Sequence, residues 1–342
     1  MPVLLKNQTA DELREALGIT LRQARMIQAV VIHKGKLPEV QAEISEKALK
    51  SLRTATEIPN LTVLDKQVSP QDGFAKYLFR GDGLEPFEAV RIPLLHREED
   101  QKYIVCVSSQ VGCALGCSFC YTGKMGFIRN LSAWEMVDQV IKIRDDSEHP
   151  VRGVVFMGMG EPLLNYDEVI RAARILSEPC GGAISAKAIT ISTSGIVPAI
   201  RRFTAERQPF RLVVSLTSAD SQKRRELMPV EGAHSTAELM DALRERHQVT
   251  GDRITLAWTM ISGVNTGEED AKQLAELTRG LPVKLDLIDV NDPSGKYCPP
   301  SPEELHAFRD VLRLHLAAPV ARRYSGGKDI AAACGLLATH SA

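Results

Sequence analysis

The stretch YIVCVSSQVGCALGCSFCYTGKMGFIRNLSAWEMVDQVIKIRDD, residues 103–146, decides how the chain is read. It opens on a short apolar run, YIVCVSS, and closes on an amphipathic helical pattern, SAWEMVDQVIKIRDD. The loop between them carries Cys113, Cys117 and Cys120 in a C-x3-C-x2-C spacing, with Cys106 seven residues before the first. Strand, loop and helix make one β–α unit. In folds built from such units, chemistry gathers on the loops that leave the C-terminal ends of the strands. Three thiols on a loop that contains Gly112, Gly116 and Gly123 can converge on one face of an iron–sulfur cluster. A 4Fe–4S cluster ordinarily takes four cysteines. Three leave one iron open to a substrate or cofactor, as catalytic zinc sites keep one position open. The alternative is a zinc ion with Cys106 or a histidine as fourth ligand, although no second C-x2-C pair accompanies the first.

Downstream the same alternation repeats. The apolar runs GVVFMG, AITIST, RLVVSL, ITLAWTM, VKLDLIDV and the weaker PVARRYS alternate with the helical patterns YDEVIRAARILSE, TAELMDALRERH, EEDAKQLAELTRG and SPEELHAFRDVLRLHL. Repeated β–α units predict an α/β fold, a parallel sheet covered by helices, either open or a partial barrel. Upstream the pattern differs. Residues 1–58 predict helices, with Thr9 and Thr20 as N-caps and Gly18 and Gly35 as stops. Residues 59–100 alternate β-like runs with turn signals at 71–73 and 81–83, which predicts a small antiparallel meander. The expected organisation is a helical accessory domain over 1–58, a β segment over 59–100 and the core over 101–342.

Composition narrows the function classes. The chain has 342 residues, 42 basic against 43 acidic, so a globally cationic nucleic-acid binder is not indicated, though a local basic patch is compatible. No apolar run reaches the roughly 18 residues of a membrane span. The N-terminus lacks a signal-peptide layout, and the expectation is a soluble, cytoplasmic protein without membrane partners. Four of the seven cysteines are crowded into fifteen residues, which in a reducing compartment points to metal or redox chemistry rather than a disulfide scaffold.

Three motifs together are more specific than any one. The cysteine loop, with Phe119 before its last cysteine, resembles the radical S-adenosylmethionine (SAM) superfamily, and GVVFMGMGEPLLNYDEV (153–169) resembles that superfamily's GGE-type motif. CVSSQVGCALGC, MGMGEPLLN and STSGIVP resemble the RlmN/Cfr family of radical SAM RNA methyltransferases, and the similarity extends over nearly the whole chain. The resemblance implies a radical SAM partial (β/α)6 barrel with an N-terminal helical accessory domain. It implies one 4Fe–4S cluster on Cys113, Cys117 and Cys120, two SAM molecules per turnover, and an electron donor such as flavodoxin.

It also explains the extra cysteine. In the family a carrier cysteine, matched by Cys334 in GGKDIAAACGLLA, is methylated by a first SAM. A radical derived from a second SAM removes hydrogen from that S-methyl group, and the carbon adds to an adenine ring. A resolving cysteine, matched by Cys106, then releases product as a disulfide forms. The family's general base is matched by Glu88 in FEAVRIP, and its SAM contacts by Gly160, Glu161, Ser192, Ser215, Leu216, Thr217 and Asn291. Without the resemblance, Cys106 and Cys334 read as packed thiols, Glu88 as an exposed strand carboxylate, and the serine, glycine and asparagine positions as ordinary turn chemistry. The expected substrate is an adenosine in RNA, methylated on carbon-2, in large-subunit ribosomal RNA and also transfer RNA. Carbon-8 methylation, and a radical SAM reaction on a nonribosomal substrate, are the alternatives. An unpaired or flipped base is required. Arg22, Arg25, Lys34 and Lys36 give the helical domain a face suited to RNA phosphates. The chain departs from the family at Thr217, where histidine is usual, and at Val290 and Asp292, where tryptophan and proline flank the asparagine.

Overall fold

The computed structural model describes residues 2–40, 44–94, 101–292 and 294–338. Its first helices are α1 (Ala10–Leu17), α2 (Leu21–Lys34) and α3 (Glu46–Ala55). Thr9 and Thr20 cap the first two as expected. Each hydroxyl accepts the N–H three residues on, and the Glu12 and Gln23 side chains accept the cap's own N–H in return. Gly18 and Gly35 stop the two helices at φ 63° and 62°, a left-handed conformation that costs glycine little. Leu5, Leu13, Ile27, Val31, Leu49 and Leu52 form the buried core of this segment, separate from the core of the sheet.

Ten strands follow in one sheet, ordered as they occur in the chain. Strands β1 (Thr62–Val68), β2 (Ala75–Arg80) and β3 (Phe87–Leu94) form the expected meander. They do not stand apart from the core: β3 pairs antiparallel with β4 (Lys102–Cys106), so the meander is one wing of the main sheet. From β4 onward all pairing within this sheet is parallel, through β5 (Val151–Phe156), β6 (Ile189–Thr193), β7 (Arg211–Ser215), β8 (Ile254–Met260), β9 (Val283–Asp289) and β10 (Val320–Arg322). After the short α4 (Tyr121–Lys124), the crossovers are α5 (Ala133–Asp145), α6 (Tyr166–Ser177), α7 (Val197–Ala205), α8 (Ser221–Leu227) with α9 (Thr236–Thr250), α10 (Glu268–Leu277) and α11 (Pro302–His315). A parallel sheet covered by helices is the α/β fold expected from the sequence.

The sheet is rolled. Asp72, in the β1–β2 turn, accepts the N–H of Gly327 at 2.9 Å and the hydroxyl of Tyr324 at 3.1 Å, and both lie beyond β10 at the opposite edge. Among the described residues β1 and β10 do not pair, so the roll stays open. Strand β1 is exposed on both faces and carries a bulge between Val63 and Asp65.

A buried ion pair joins the helical segment to the core. Lys6 Nζ lies 2.6 Å from Asp138 Oδ1 on α5 and 2.8 Å from Asn60 Oδ1, while the N–H of Leu61 donates to Asp138 Oδ2 at 2.7 Å. Breaking such a pair strands a charge in the interior. Asp138→Ala should therefore lower the unfolding free energy by about 3–5 kcal/mol, read from the urea midpoint, whereas a substitution at exposed Arg25 should move it little.

Candidate active site

The C-terminal ends of the parallel strands open into a cavity of about 470 Å³. Cys113, Cys117 and Cys120 line it together with Gly160, Glu161, Ser192, Ser215 and Asn291, and so do Cys106 and Cys334. Residues from the ends of β4, β5, β6, β7 and β9 thus meet the C-terminal segment in one place. Leu216, Thr217 and Glu88 lie behind this wall, all buried.

The floor is tightly built. Gly160 has φ 99°, and a Cβ there would fall 2.5 Å from the Gln110 Cβ, so only glycine fits. Gln110 Oε1 accepts the N–H of Glu161 at 2.9 Å. The Glu161 carboxylate accepts the N–H of Leu163 at 3.0 Å and of Ser194 at 2.8 Å, which fixes it across the ends of β5 and β6. Burial pushes the Glu161 carboxyl up, against the pull of those hydrogen bonds.

The C-terminal segment is pinned over the strand ends. The Asn291 amide donates to the Cys334 carbonyl at 3.1 Å and to Ser325 Oγ at 2.9 Å. The N–H of Tyr121 donates to the Gly335 carbonyl at 2.9 Å, and the Thr122 hydroxyl to the Leu337 carbonyl at 2.6 Å. Glu88 takes part as well. Its Oε2 accepts the N–H of Ala338 at 2.9 Å, and its Oε1 lies 3.1 Å from Lys76 Nζ. The two unassigned thiols are close enough to interact electrostatically. Burial, with the proximity of Cys334 adding to it, pushes Cys106 up to about 12. Burial raises Cys334 to about 11, with Cys120 adding to the rise and Arg323 opposing it. Cys334 is exposed and lines the cavity.

One feature of the cavity had only a weak signal in the sequence. Asp289 lies in the cavity wall with Oδ2 paired to Arg322 at 2.7 Å and Oδ1 buried without a partner. A carboxylate at the end of the apolar run VKLDLIDV was the available sign. Thr217, one of the departures, sits at φ 62°, a region unfavourable for a β-branched residue, with its hydroxyl buried and unpartnered. Asp292, another, forms an ion pair with Lys124 of α4 at 3.7 Å and caps the following turn through the N–H groups of Ser294 and Tyr297.

The cavity fits a cluster and a polar cofactor. Among the described residues no three His, Cys, Asp or Glu side chains close around a single ion. A four-iron cube spreads its cysteine ligands around its corners, and three thiols on one cavity wall suit it. Glu161, Ser192, Ser215 and Asn291 put polar groups on the same cavity lining for a ligand beside it.

These features define a radical SAM enzyme, and residues 107–277 match the Radical SAM superfamily. That match contains Cys113, Cys117 and Cys120 but not Glu88, Cys106, Asn291 or Cys334. A probable RNA methyltransferase of Myxococcus xanthus is 49% identical over 98% of this chain and 94% of its own length. The dual-specificity RNA methyltransferase RlmN of Syntrophobacter fumaroxidans is 40% identical over 98% of both chains. The crystal structure of a radical SAM methyltransferase from Sphaerobacter thermophilus superposes with a TM-score of 0.86 at 36% identity, covering 98% of this chain and 99% of that one. The chain belongs to the RlmN/Cfr family of radical SAM RNA methyltransferases, and its cofactors are a 4Fe–4S cluster and SAM.

Anaerobic reconstitution should load about four irons per chain. Replacing Cys113, Cys117 or Cys120 by Ala should abolish both the cluster absorbance and 5′-deoxyadenosine formation. Thiol burial gives a second expectation. An unfolded Cys106 ionises near 9.0, while the folded one keeps its proton to about 12. Between those values the folded state binds more protons, so stability falls as pH rises. Above pH 9 the cluster-free protein should lose about 1.4 kcal/mol per pH unit through this group. Cys106→Ala should remove that component of the slope in urea titrations on either side of pH 9.

Proposed function

We propose that this protein methylates carbon-2 of an adenine in RNA, with Cys334 as methyl carrier and Cys106 as resolving thiol. The observation that carries the reading is that both thiols face the same cavity as the three cluster cysteines, with Cys334 near enough to raise Cys106 and to be raised by Cys120. A binding module would need neither thiol there. Large-subunit ribosomal RNA is the proposed substrate and transfer RNA the second, a reading supported by the dual specificity in the names of several relatives.

When bound, the cluster and SAM supply the methyl group and the radical. Three cysteines hold the cluster, and Glu161 and Gly160, with Ser192, Ser215 and Asn291 around them, orient SAM. Leu216 and Thr217 act from behind the wall by shaping the end of β7. Cys334 accepts the methyl group as a thiolate, and the Arg323 guanidinium favours that form. Once its carbon is bonded to the adenine ring, a proton leaves the ring carbon towards Glu88, which Lys76 keeps beside a positive charge. Cys106 then gives up its proton and attacks the Cys334 sulfur; the carbon–sulfur bond breaks with its electron pair passing to the product carbon, which takes up a proton to complete the methyl group, and a Cys106–Cys334 disulfide remains. A flavodoxin-type donor returns the electrons. The exposed Arg22, Arg25, Lys34 and Lys36 hold RNA phosphates on the helical accessory domain. A cytoplasmic location fits thiols that must be reduced each cycle; no helix among the described residues is long and apolar enough to cross a membrane.

Mass spectrometry of RNA from a deletion strain should show the loss of one methyladenosine, restored on complementation. A missing 8-methyl rather than 2-methyl product would move the site of attack, and an unchanged RNA would overturn the reading. Cys106→Ala should still methylate Cys334 and attack the base, so it should accumulate as a nuclease-sensitive protein–RNA adduct on a denaturing gel. The double variant with Cys334→Ala should show none. Normal turnover by Cys106→Ala would reduce Cys106 to a packed strand thiol.

A further inference from the structure

At the rim of the cavity stands a side chain that this chemistry does not use. Tyr324 lines the cavity yet is 63% exposed, while its neighbour Phe74 is 4% exposed. The ring is held in place. Its hydroxyl donates to Asp72 Oδ2 at 3.1 Å, and Asp72 is itself fixed by the N–H groups of Gly327 at 2.9 Å and Phe74 at 3.3 Å. The ring tilts at 59° against Phe74, with 6.2 Å between centroids. Gly326 closes in as well, since a Cβ there would fall 2.6 Å from the Tyr324 ring. Bonded at its hydroxyl and packed along one side, the ring still presents most of its surface to solvent.

A fixed, exposed aromatic surface at the mouth of a cavity is chemistry that recognises an unpaired base. Bases of any kind stack on such rings, each contributing about 1–3 kcal/mol, and single-stranded RNA is read through bases splayed out onto aromatic side chains. Holding the ring beforehand removes an ordering cost from binding. Given the RNA-adenine reading above, on which this inference rests, we propose that Tyr324 is the stacking platform for the nucleotide adjoining the adenine that enters the cavity. The adjoining nucleotide is favoured over the target itself by exposure. The target must reach the Cys334 sulfur inside the cavity, whereas Tyr324 stands at the solvent edge, ten residues earlier on the same segment. A base docked there registers the next one with the thiol, because platform and carrier belong to one pinned stretch of chain.

The test is a cycle between protein and RNA, using the reconstituted full-length enzyme and a short RNA with one unpaired target adenine. Tyr324→Ala and Tyr324→Leu should lower kcat/KM for RNA by about 5- to 150-fold, the equivalent of one lost stack, and Tyr324→Phe should retain most of the activity. An RNA with an abasic site on the platform side of the target should bring the wild type down to the level of Tyr324→Ala, and Tyr324→Ala should lose nothing more on it. Equal kcat/KM for wild type and Tyr324→Ala on intact RNA would overturn the proposal. So would an undiminished effect of Tyr324→Ala on RNAs abasic at either neighbour, which would put the ring against the target or SAM instead. Quenching of 2-aminopurine placed beside the target, present in the wild type and Tyr324→Phe but lost in Tyr324→Leu, reads the stack without turnover. Quenching without methylation of any RNA would overturn the functional reading and leave the platform standing; neither quenching nor methylation would overturn both.

Discussion

Hydrogen bonds to the backbone of residues 334–338 hold an irregular stretch of chain across the open end of the sheet, and the arrangement of thiols depends on them. A segment without helix or strand must find partners for its amides and carbonyls elsewhere. Here Asn291 serves the Cys334 carbonyl, Tyr121 the Gly335 carbonyl, Thr122 the Leu337 carbonyl and Glu88 the Ala338 amide. Tyr121 and Thr122 directly follow Cys120, so two of these bonds tie the Cys334 segment to the three-cysteine loop. Asn291 follows the end of β9 and Glu88 lies on β3, far apart in the strand order of the sheet. Reach in a sequence this long is thereby converted into fixed proximity between Cys334 and Cys106.

A second constraint keeps the strand ends in register beneath that segment. Arg224 is fully buried and forms an ion pair with Glu231; it also donates to the Leu216 carbonyl at 3.1 Å and the Ser194 carbonyl at 2.7 Å. One guanidinium thus joins the loops after β6 and β7. A planar fork with several donors suits this better than an ammonium would. Burial lowers the Arg224 pKa and Glu231 opposes the shift, as expected for a charge kept inside by its partner. The left-handed Thr217 lies in the same corner, one residue beyond a carbonyl that Arg224 holds.

Features set by neighbouring residues were legible in the sequence. Thr9, Thr20, Gly18 and Gly35 bound their helices because capping needs only a few consecutive residues. The parallel strands were legible because each is a compact apolar run between helical patterns. That Cys113, Cys117 and Cys120 share one loop was legible from their spacing, while the presence of Cys106 and Cys334 in the same cavity was accessible only through the family resemblance. What escaped was non-local. Nothing in residues 59–100 announces that β3 will pair with β4 and extend the core sheet. The Lys6–Asp138 pair spans 132 positions, and neither residue carries a sign of the other. Glu88 looked like an exposed strand carboxylate on its own chemistry; Lys76 on the adjacent strand and Ala338 near the end of the described chain make it a buried, bonded group.

The open edge has a consequence for self-association. Strand β1 leaves a row of unpaired amides and carbonyls at the side of a ten-stranded sheet, a template onto which another copy's edge could pair. Val63, Leu64 and Val68 are exposed along it, which adds to the hazard. The bulge between Val63 and Asp65 breaks the regular spacing, and Asp65 and Lys66 put charges of both signs at its centre. Lys66 is held 2.6 Å from Asp146, so its charge stays at the strand. A strand interrupted and charged in this way offers few consecutive groups for a partner to match.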